Sequence, residues 1–289
     1  MMDVIRGAFA PVPTPLGEDG CFEAAALSRH LVWIAEGGLD GALVLGTNGE
    51  FPSFSLDERR RVAEAAAAAE STARLLLGVG SCSVVEAVEL ARLAGTLGYQ
   101  AVLCPPPFYF RAAPVSGLAD FFRAVLDGSP LPVLLYHIPQ VTGVPISNEL
   151  LDAIGGHGRL AGVKDSSGDP QEMARLIGRF PDGSYLVGSD RLVGARLEAG
   201  GTGSISAAAS VVPGLVAAVN RGLDRQPELT AVRSMLEDFG LGPAVKCILR
   251  DLGFGSYRTR PPLLGLDEAR EAELMGRFAE ITGASLDRA

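Results

Sequence analysis

The sequence is poor in the residues that staple, chelate or anchor a chain. Its four cysteines, Cys21, Cys82, Cys104 and Cys247, stand far apart. That spacing excludes a disulfide framework or a zinc knuckle and reads as buried thiols in a reducing compartment. His30, His137 and His157 show no ligand spacing and have no acidic cluster beside them, so no metal site is expected. No stretch reaches the roughly 18 uninterrupted apolar residues of a membrane span. The first residues, Met1 to Arg6, lack the apolar run of a secretion leader. Lysines and arginines form no basic block and the net charge is −9, which argues against a nucleic-acid partner. Together these absences lead to the expectation of a cytoplasmic protein with neither a membrane nor a polyanion as partner.

What the chain has is apolar residue, 47% of 289 positions, enough for a sizeable core in one large α/β barrel or two smaller domains. Short apolar strands are expected at 8–12, 41–45, 75–79, 101–104, 133–136, 160–163, 185–187 and 203–206, each followed by a helical stretch. Ser55 and Glu58 have the spacing of a capping box, opening an alanine-rich helix to about Ala69. Eight strand–helix units with continuous apolar strands fit a TIM (β/α)8 barrel. A doubly wound open sheet would carry a glycine fingerprint after its first strand, and here that strand runs into Pro13-Thr14-Pro15. The expected division is a barrel over 1–224 and a C-terminal helical extension over 225–289.

Within Gly162-Val163-Lys164-Asp165-Ser166-Ser167-Gly168-Asp169, Lys164 sits where the sixth strand gives way to a polar loop. A desolvated ammonium is costly, so such a lysine is normally paired or used. Pairing would fall to Asp165. Use would be covalent, as the amine that attacks a carbonyl to form a Schiff base. In a TIM barrel the chemistry gathers at the carboxyl ends of the strands. Thr47-Asn48, Tyr109, Arg111, Tyr136 and Lys164 all fall there. A lysine nucleophile, a tyrosine proton shuttle and an anion nest of Gly46-Thr47-Asn48-Gly49 N–H groups are the parts needed to process a 2-oxo acid. The ordinary tyrosine pKa of about 10 would be pulled down by the adjacent cation. Taken singly, Tyr136 reads as a core aromatic and Gly46–Gly49 as a plain turn. His137 should point to the opposite face of its strand and is given no catalytic role. Arg258 and Arg260 read as surface charges.

The chain resembles the dihydrodipicolinate synthase / N-acetylneuraminate lyase family of lysine-dependent (class I) pyruvate aldolases. The match is carried by Gly46-Thr47-Asn48-Gly49-Glu50, Tyr136-His137-Ile138-Pro139, Gly162-Val163-Lys164-Asp165, Gly188-Ser189-Asp190 and Gly200 to Ser206. The resemblance implies a barrel with a C-terminal helical domain and a homotetramer built as a dimer of dimers. It implies Lys164 as the Schiff-base lysine, Tyr136 as the proton shuttle and Thr47, counted with this catalytic pair, binding the pyruvate carboxylate together with Asn48. Gly188 and Ile205 would line the pocket, and no cofactor is called for beyond the imine on Lys164.

Departures from the family pattern set the expected subclass. Val141 stands where the lysine-biosynthetic synthase has an arginine for its aldehyde's carboxylate. Phe110, preceded by Tyr109, stands where that synthase has its interface tyrosine. Asn48 and Phe51-Pro52 look more like the 4-hydroxy-2-oxoglutarate and 2-keto-3-deoxy sugar-acid aldolases. Arg111, Val141 and Ser166, with Tyr109 and Phe110, are the candidate specificity residues. The expected activity is reversible cleavage of a 4-hydroxy-2-oxo acid to pyruvate and an aldehyde. The synthase reaction and dehydration of a 2-keto-3-deoxy acid are the alternatives, with an oxo-acid-binding sensor as the non-enzymatic one.

Overall fold

The computed structural model describes residues 4–283. Met1 to Asp3, on which the leader reading partly rests, and residues 284–289 lie outside the described residues. Eight parallel strands close into a barrel in chain order, each paired with the next and the last with the first. They are β1 (Gly7–Pro11), β2 (Gly41–Val44), β3 (Arg74–Gly78), β4 (Ala101–Cys104), β5 (Val133–His137), β6 (Leu160–Asp165), β7 (Ser184–Val187) and β8 (Gly203–Ile205). The surrounding helices are α1 (Ala24–Glu36), α2 (Leu56–Ala67), α3 (Val84–Thr96), α4 (Val115–Gly128), α5 (Pro139–Thr142), α6 (Asn148–Ile154), α7 (Pro170–Arg179), α8 (Val193–Glu198) and α9 (Pro213–Asn220). Then come α10 (Gln226–Asp238), α11 (Leu241–Asp251) and α12 (Glu268–Thr282). The TIM barrel and the trailing helices are as expected. The capping box is formed: Ser55 Oγ accepts from the Glu58 N–H while Glu58 reaches back to the Ser55 N–H.

Strand pleating divides the apolar side chains into two layers. Phe9, Leu43, Leu76, Leu103, Leu134, Leu186 and Ile205 fill the barrel. Ala8, Val44, Leu77, Val102, Leu135 and Val187 face the helices. Both faces are covered, which is why these strands read as continuous apolar runs.

β6 breaks this alternation at one place, and the break places the site. Leu160 packs outward and Ala161 inward, yet Val163 again packs outward. The pairing of β5 with β6 shifts register there, from Val133 opposite Leu160 to Leu134 opposite Gly162. Ala161 is left without a partner on β5, and Gly162 beside it, with φ of 148°, completes the bulge. Without it Lys164 would turn into the helix layer; with it Lys164 enters the barrel beside Tyr136, its register partner on β5. A Cβ on Gly162 would lie 1.9 Å from the Ser184 carbonyl oxygen. Gly162→Ala is therefore expected to destabilise the protein by at least about 2 kcal/mol, measured by urea unfolding. An unchanged midpoint would show that the bulge is not sterically required.

Three expectations are corrected. Lys164 lies inside β6 rather than just past its end. Cys21 is exposed and Cys82 half-buried, so only Cys104 and Cys247 are buried thiols. Arg258 is exposed, but Arg260 is not a free surface charge. It lies 4.4 Å from the Phe54 ring centroid and donates to Ser53, Gly20 and Glu58, pinning the C-terminal segment against the 50–58 region.

Candidate active site

A cavity of about 520 Å³ opens at the carboxyl ends of the strands. Lys164 lies in its wall, 3% exposed, with Nζ 4.2 Å from the centroid of the Tyr136 ring. That distance is a cation–π contact, and it follows from two inward residues sharing one register position on neighbouring strands. The plainer pairing of Lys164 with Asp165 does not occur. The Asp165 carboxylate instead accepts from Tyr185 Oη and the Ser167 N–H, both at 2.8 Å, in the layer outside the barrel.

Tyr136 Oη lies 3.4 Å from Thr47 Oγ1, and Ser166 Oγ donates to it at 3.4 Å. Both contacts are long, as catalytic hydrogen bonds often are before substrate tightens them. Burial alone would raise the Tyr136 pKa. The Lys164 cation and the hydroxyls of Ser166 and Thr47 outweigh it and bring the phenol below the ordinary value of 10.0. The tyrosine is thus biased toward giving up its proton, and the cause is the lysine beside it.

The turn after β2 presents polar donors to the cavity. Thr47 and Asn48 line the cavity, and their N–H groups donate to no backbone carbonyl among the described residues. Asn48 Nδ2 is buried and has no hydrogen-bond partner among them either. A buried donor left unsatisfied, as Asn48 Nδ2 is, is costly unless a ligand fills it, and a carboxylate is one group of the right chemistry. Gly188 completes the floor: its N–H donates to the Asp165 carbonyl at 2.6 Å, and a Cβ there would lie 2.0 Å from Ser166 Oγ. Any side chain at 188 would displace the serine that touches Tyr136.

Of the residues singled out in the sequence, Lys164, Tyr136, Thr47, Asn48, Gly188, Ile205, Ser166 and Val141 line this one cavity. Gly46 is buried behind the turn. Tyr109 and Phe110 stack edge to face with centroids 5.2 Å apart, 77% and 67% exposed, away from the cavity. Arg111 is exposed and runs past Gly143. His137 points outward as alternation required. Its Nδ1 accepts from the Ile146 N–H and its Nε2 lies 3.3 Å from Glu172. Burial, more than the opposing pull of Asp165 and Glu172, holds its pKa below the usual histidine value.

The structure also adds residues that sequence reading passed over. Gln140 lines the cavity and donates to the Ser166 carbonyl at 2.6 Å. At the mouth stand Arg191, Arg233 and Glu237, with Arg191 2.7 Å from Glu237 and Arg233 3.1 Å from the buried Asp190. Arg233 and Glu237 belong to α10, far along the chain from every motif. Their helical spacing of four was legible, but nothing local said that this helix crosses the rim.

A family model described as the dihydrodipicolinate synthetase family matches residues 4–279. The chain is 37% identical to an uncharacterised DapA-like lyase of Chloroflexus aurantiacus, covering 96% of this chain and 97% of that protein. It is 31% identical to a 4-hydroxy-tetrahydrodipicolinate synthase of Methanothrix thermoacetophila, covering 97% and 99%. Among solved structures, YagE of E. coli K12, a prophage protein of the dihydrodipicolinic acid synthase family crystallised with pyruvate, superposes with a TM-score of 0.90. That pair is 25% identical over 97% of this chain and 99% of that one.

Proposed function

The chain belongs to the dihydrodipicolinate synthetase family, and from that premise we propose a class I lyase that cleaves a 4-hydroxy-2-oxo acid or 2-keto-3-deoxy sugar acid to pyruvate and an aldehyde. The observation that carries this reading is a buried amine, Lys164 Nζ, set against Tyr136 in a cavity that is also lined by Asn48, whose Nδ2 has no partner. The broader assignment, a carbon–carbon lyase of the pyruvate-dependent aldolase type, follows from family membership.

In the proposed cycle the substrate carboxylate rests on the Thr47-Asn48 turn. Lys164 Nζ adds to C2 and water departs, leaving an imine whose protonated nitrogen draws electrons from C3. Tyr136 Oη takes the proton of the C4 hydroxyl and the C3–C4 bond breaks. The aldehyde leaves, and the electron pair of that bond enters the enamine. Protonation at C3 and addition of water release pyruvate and restore the amine. The imine is itself the electron sink, so no cofactor enters the cycle.

A second reading, the 4-hydroxy-tetrahydrodipicolinate synthase reaction, is favoured by the name of the 31% identical relative. Against it, Val141 is an aliphatic side chain in the cavity wall, 54% exposed, at the position where the synthase pattern has its arginine. An aliphatic group offers an incoming carboxylate no charge-assisted pair. Borohydride reduction in the presence of pyruvate, with intact mass and peptide mapping, tests the shared chemistry; an adduct on Lys164 is expected. Assaying pyruvate release from 2-keto-3-deoxy sugar acids against pyruvate consumption with aspartate semialdehyde then separates the two. Turnover only in the second assay would sink the lyase reading.

Ser166 carries a prediction of its own. In the cleavage direction Tyr136 acts as a base, so the rate should climb as pH rises through its pKa. Ser166 donates to the phenol oxygen and so favours the phenolate. Ser166→Ala removes that donor, raises the Tyr136 pKa, and is expected to move the rising limb of the kcat profile to higher pH. A limb that stays put or moves down would show that the serine does not tune the tyrosine.

A further inference from the structure

Behind the donor turn lies a charged pair for which the proposed cycle has no use. Glu50 and Lys246 are 3% and 1% exposed, and Nζ lies 2.6 Å from Glu50 Oε1. Lys246 sits midway along α11, whereas Glu50 closes the turn, its N–H donating to the Thr47 carbonyl at 3.0 Å. The same ammonium donates to the Arg258 carbonyl at 2.9 Å, and the Arg260 N–H lies 3.4 Å from Glu50 Oε2. The turn is bracketed by two residues in the left-handed region, Leu45 and Glu50, with φ of 56° and 55°. Side chains disfavour that region, so both positions persist only because their surroundings over-determine them.

Composition points the same way. Of 25 lysines and arginines only two are lysines, Lys164 and Lys246, and both are buried. Every exposed cationic side chain among the described residues is an arginine, and the compact ammonium occurs only at these two buried positions. Burial lowers the Lys246 pKa despite the opposing pull of Glu50. A buried ion pair of this kind is weak as a source of net stability compared with apolar packing, but it can fix position.

We infer that Lys246 is a positioning residue for the carboxylate-binding turn. Its ion pair with Glu50 locks Thr47 and Asn48 in place and neutralises a carboxylate that would otherwise stand behind the anion site. This role presupposes the lyase reading of the cavity. It makes α11 and the Arg258–Arg260 segment working parts of the active site.

The test titrates pyruvate against the borohydride-trapped adduct in the full-length protein, for wild type, Lys246→Met and the double variant Lys246→Met/Glu50→Gln. Lys246→Met should raise half-saturating pyruvate by about tenfold or more with the adduct at saturation unchanged, the signature of lost ground-state binding. The double variant, without the naked carboxylate but also without the lock, should rise by less, about threefold or more. A merely structural pair would lower the melting temperature and leave half-saturation alone. Half-saturation within about twofold of wild type in folded Lys246→Met overturns the inference. So does the same result in the double variant should the single one fail to fold, or loss of folding in both. No adduct in wild type overturns the lyase reading itself, a result distinct from all of these.

Discussion

Lys164→Ala is expected to abolish the trapped pyruvate adduct and to lower kcat/KM for cleavage by about 10⁴-fold or more. The size follows from what else the cavity offers. Its other cationic side chains are Arg191 and Arg233, and a guanidinium stays protonated and cannot act as the attacking amine. The one remaining lysine, Lys246, is locked to Glu50 behind the turn. No second amine can therefore substitute, and the alternative to an imine is direct removal of a C3–C4 electron pair with no sink to receive it. Lys164→Arg should be equally inactive, although it keeps the charge that sits over the Tyr136 ring. Intact mass after borohydride treatment and a coupled assay for pyruvate release check both variants. Residual cleavage within about a hundredfold of wild type would mean that the imine is not the route.

That outcome depends on a feature the sequence displayed without explaining. Gly162 was visible as part of the lysine motif, but its work is geometrical. A bulge opposite Val133 and Leu134 reverses the pleat so that the residue two places on faces inward. Hydrophobic periodicity cannot report this, because both faces of the strand are buried and every position reads alike. The eight strands were legible for the same reason: continuous apolar runs between turn signals need no knowledge of which face is which. Lys164, Tyr136 and the Gly46–Gly49 turn were legible as polar residues placed where strands end. Arg233, Glu237 and Lys246 were not, since they sit on helices α10 and α11 whose own pattern is that of ordinary amphipathic surface helices. Only the packing of those helices over the rim brings them to the cavity and its turn. The fact that lysine occurs twice in the chain was a signal available from composition alone.

Tyr136→Phe separates the two halves of the proposed chemistry. The phenol is asked to move protons, and Lys164 to make the covalent bond, so removing one oxygen should spare the second task. The pyruvate adduct is expected to form at saturation, more slowly, while kcat for cleavage falls by about 10²–10⁴-fold, the usual worth of a positioned acid–base group. The ring is retained, so its cation–π contact with Lys164 survives, and so does the packing that leaves Tyr136 4% exposed. A fall in rate then cannot be ascribed to a displaced lysine. The pH profile gives an independent sign. In wild type the rising limb should lie below the ordinary tyrosine value of 10.0, because the Lys164 cation with Ser166 and Thr47 outweighs burial. In Tyr136→Phe that limb should vanish. A variant that keeps the limb, or cleaves within about threefold of wild type, would move the proton-transfer role elsewhere in the cavity. Thr47 would then be the first residue to examine, its hydroxyl being 3.4 Å from the same phenol oxygen.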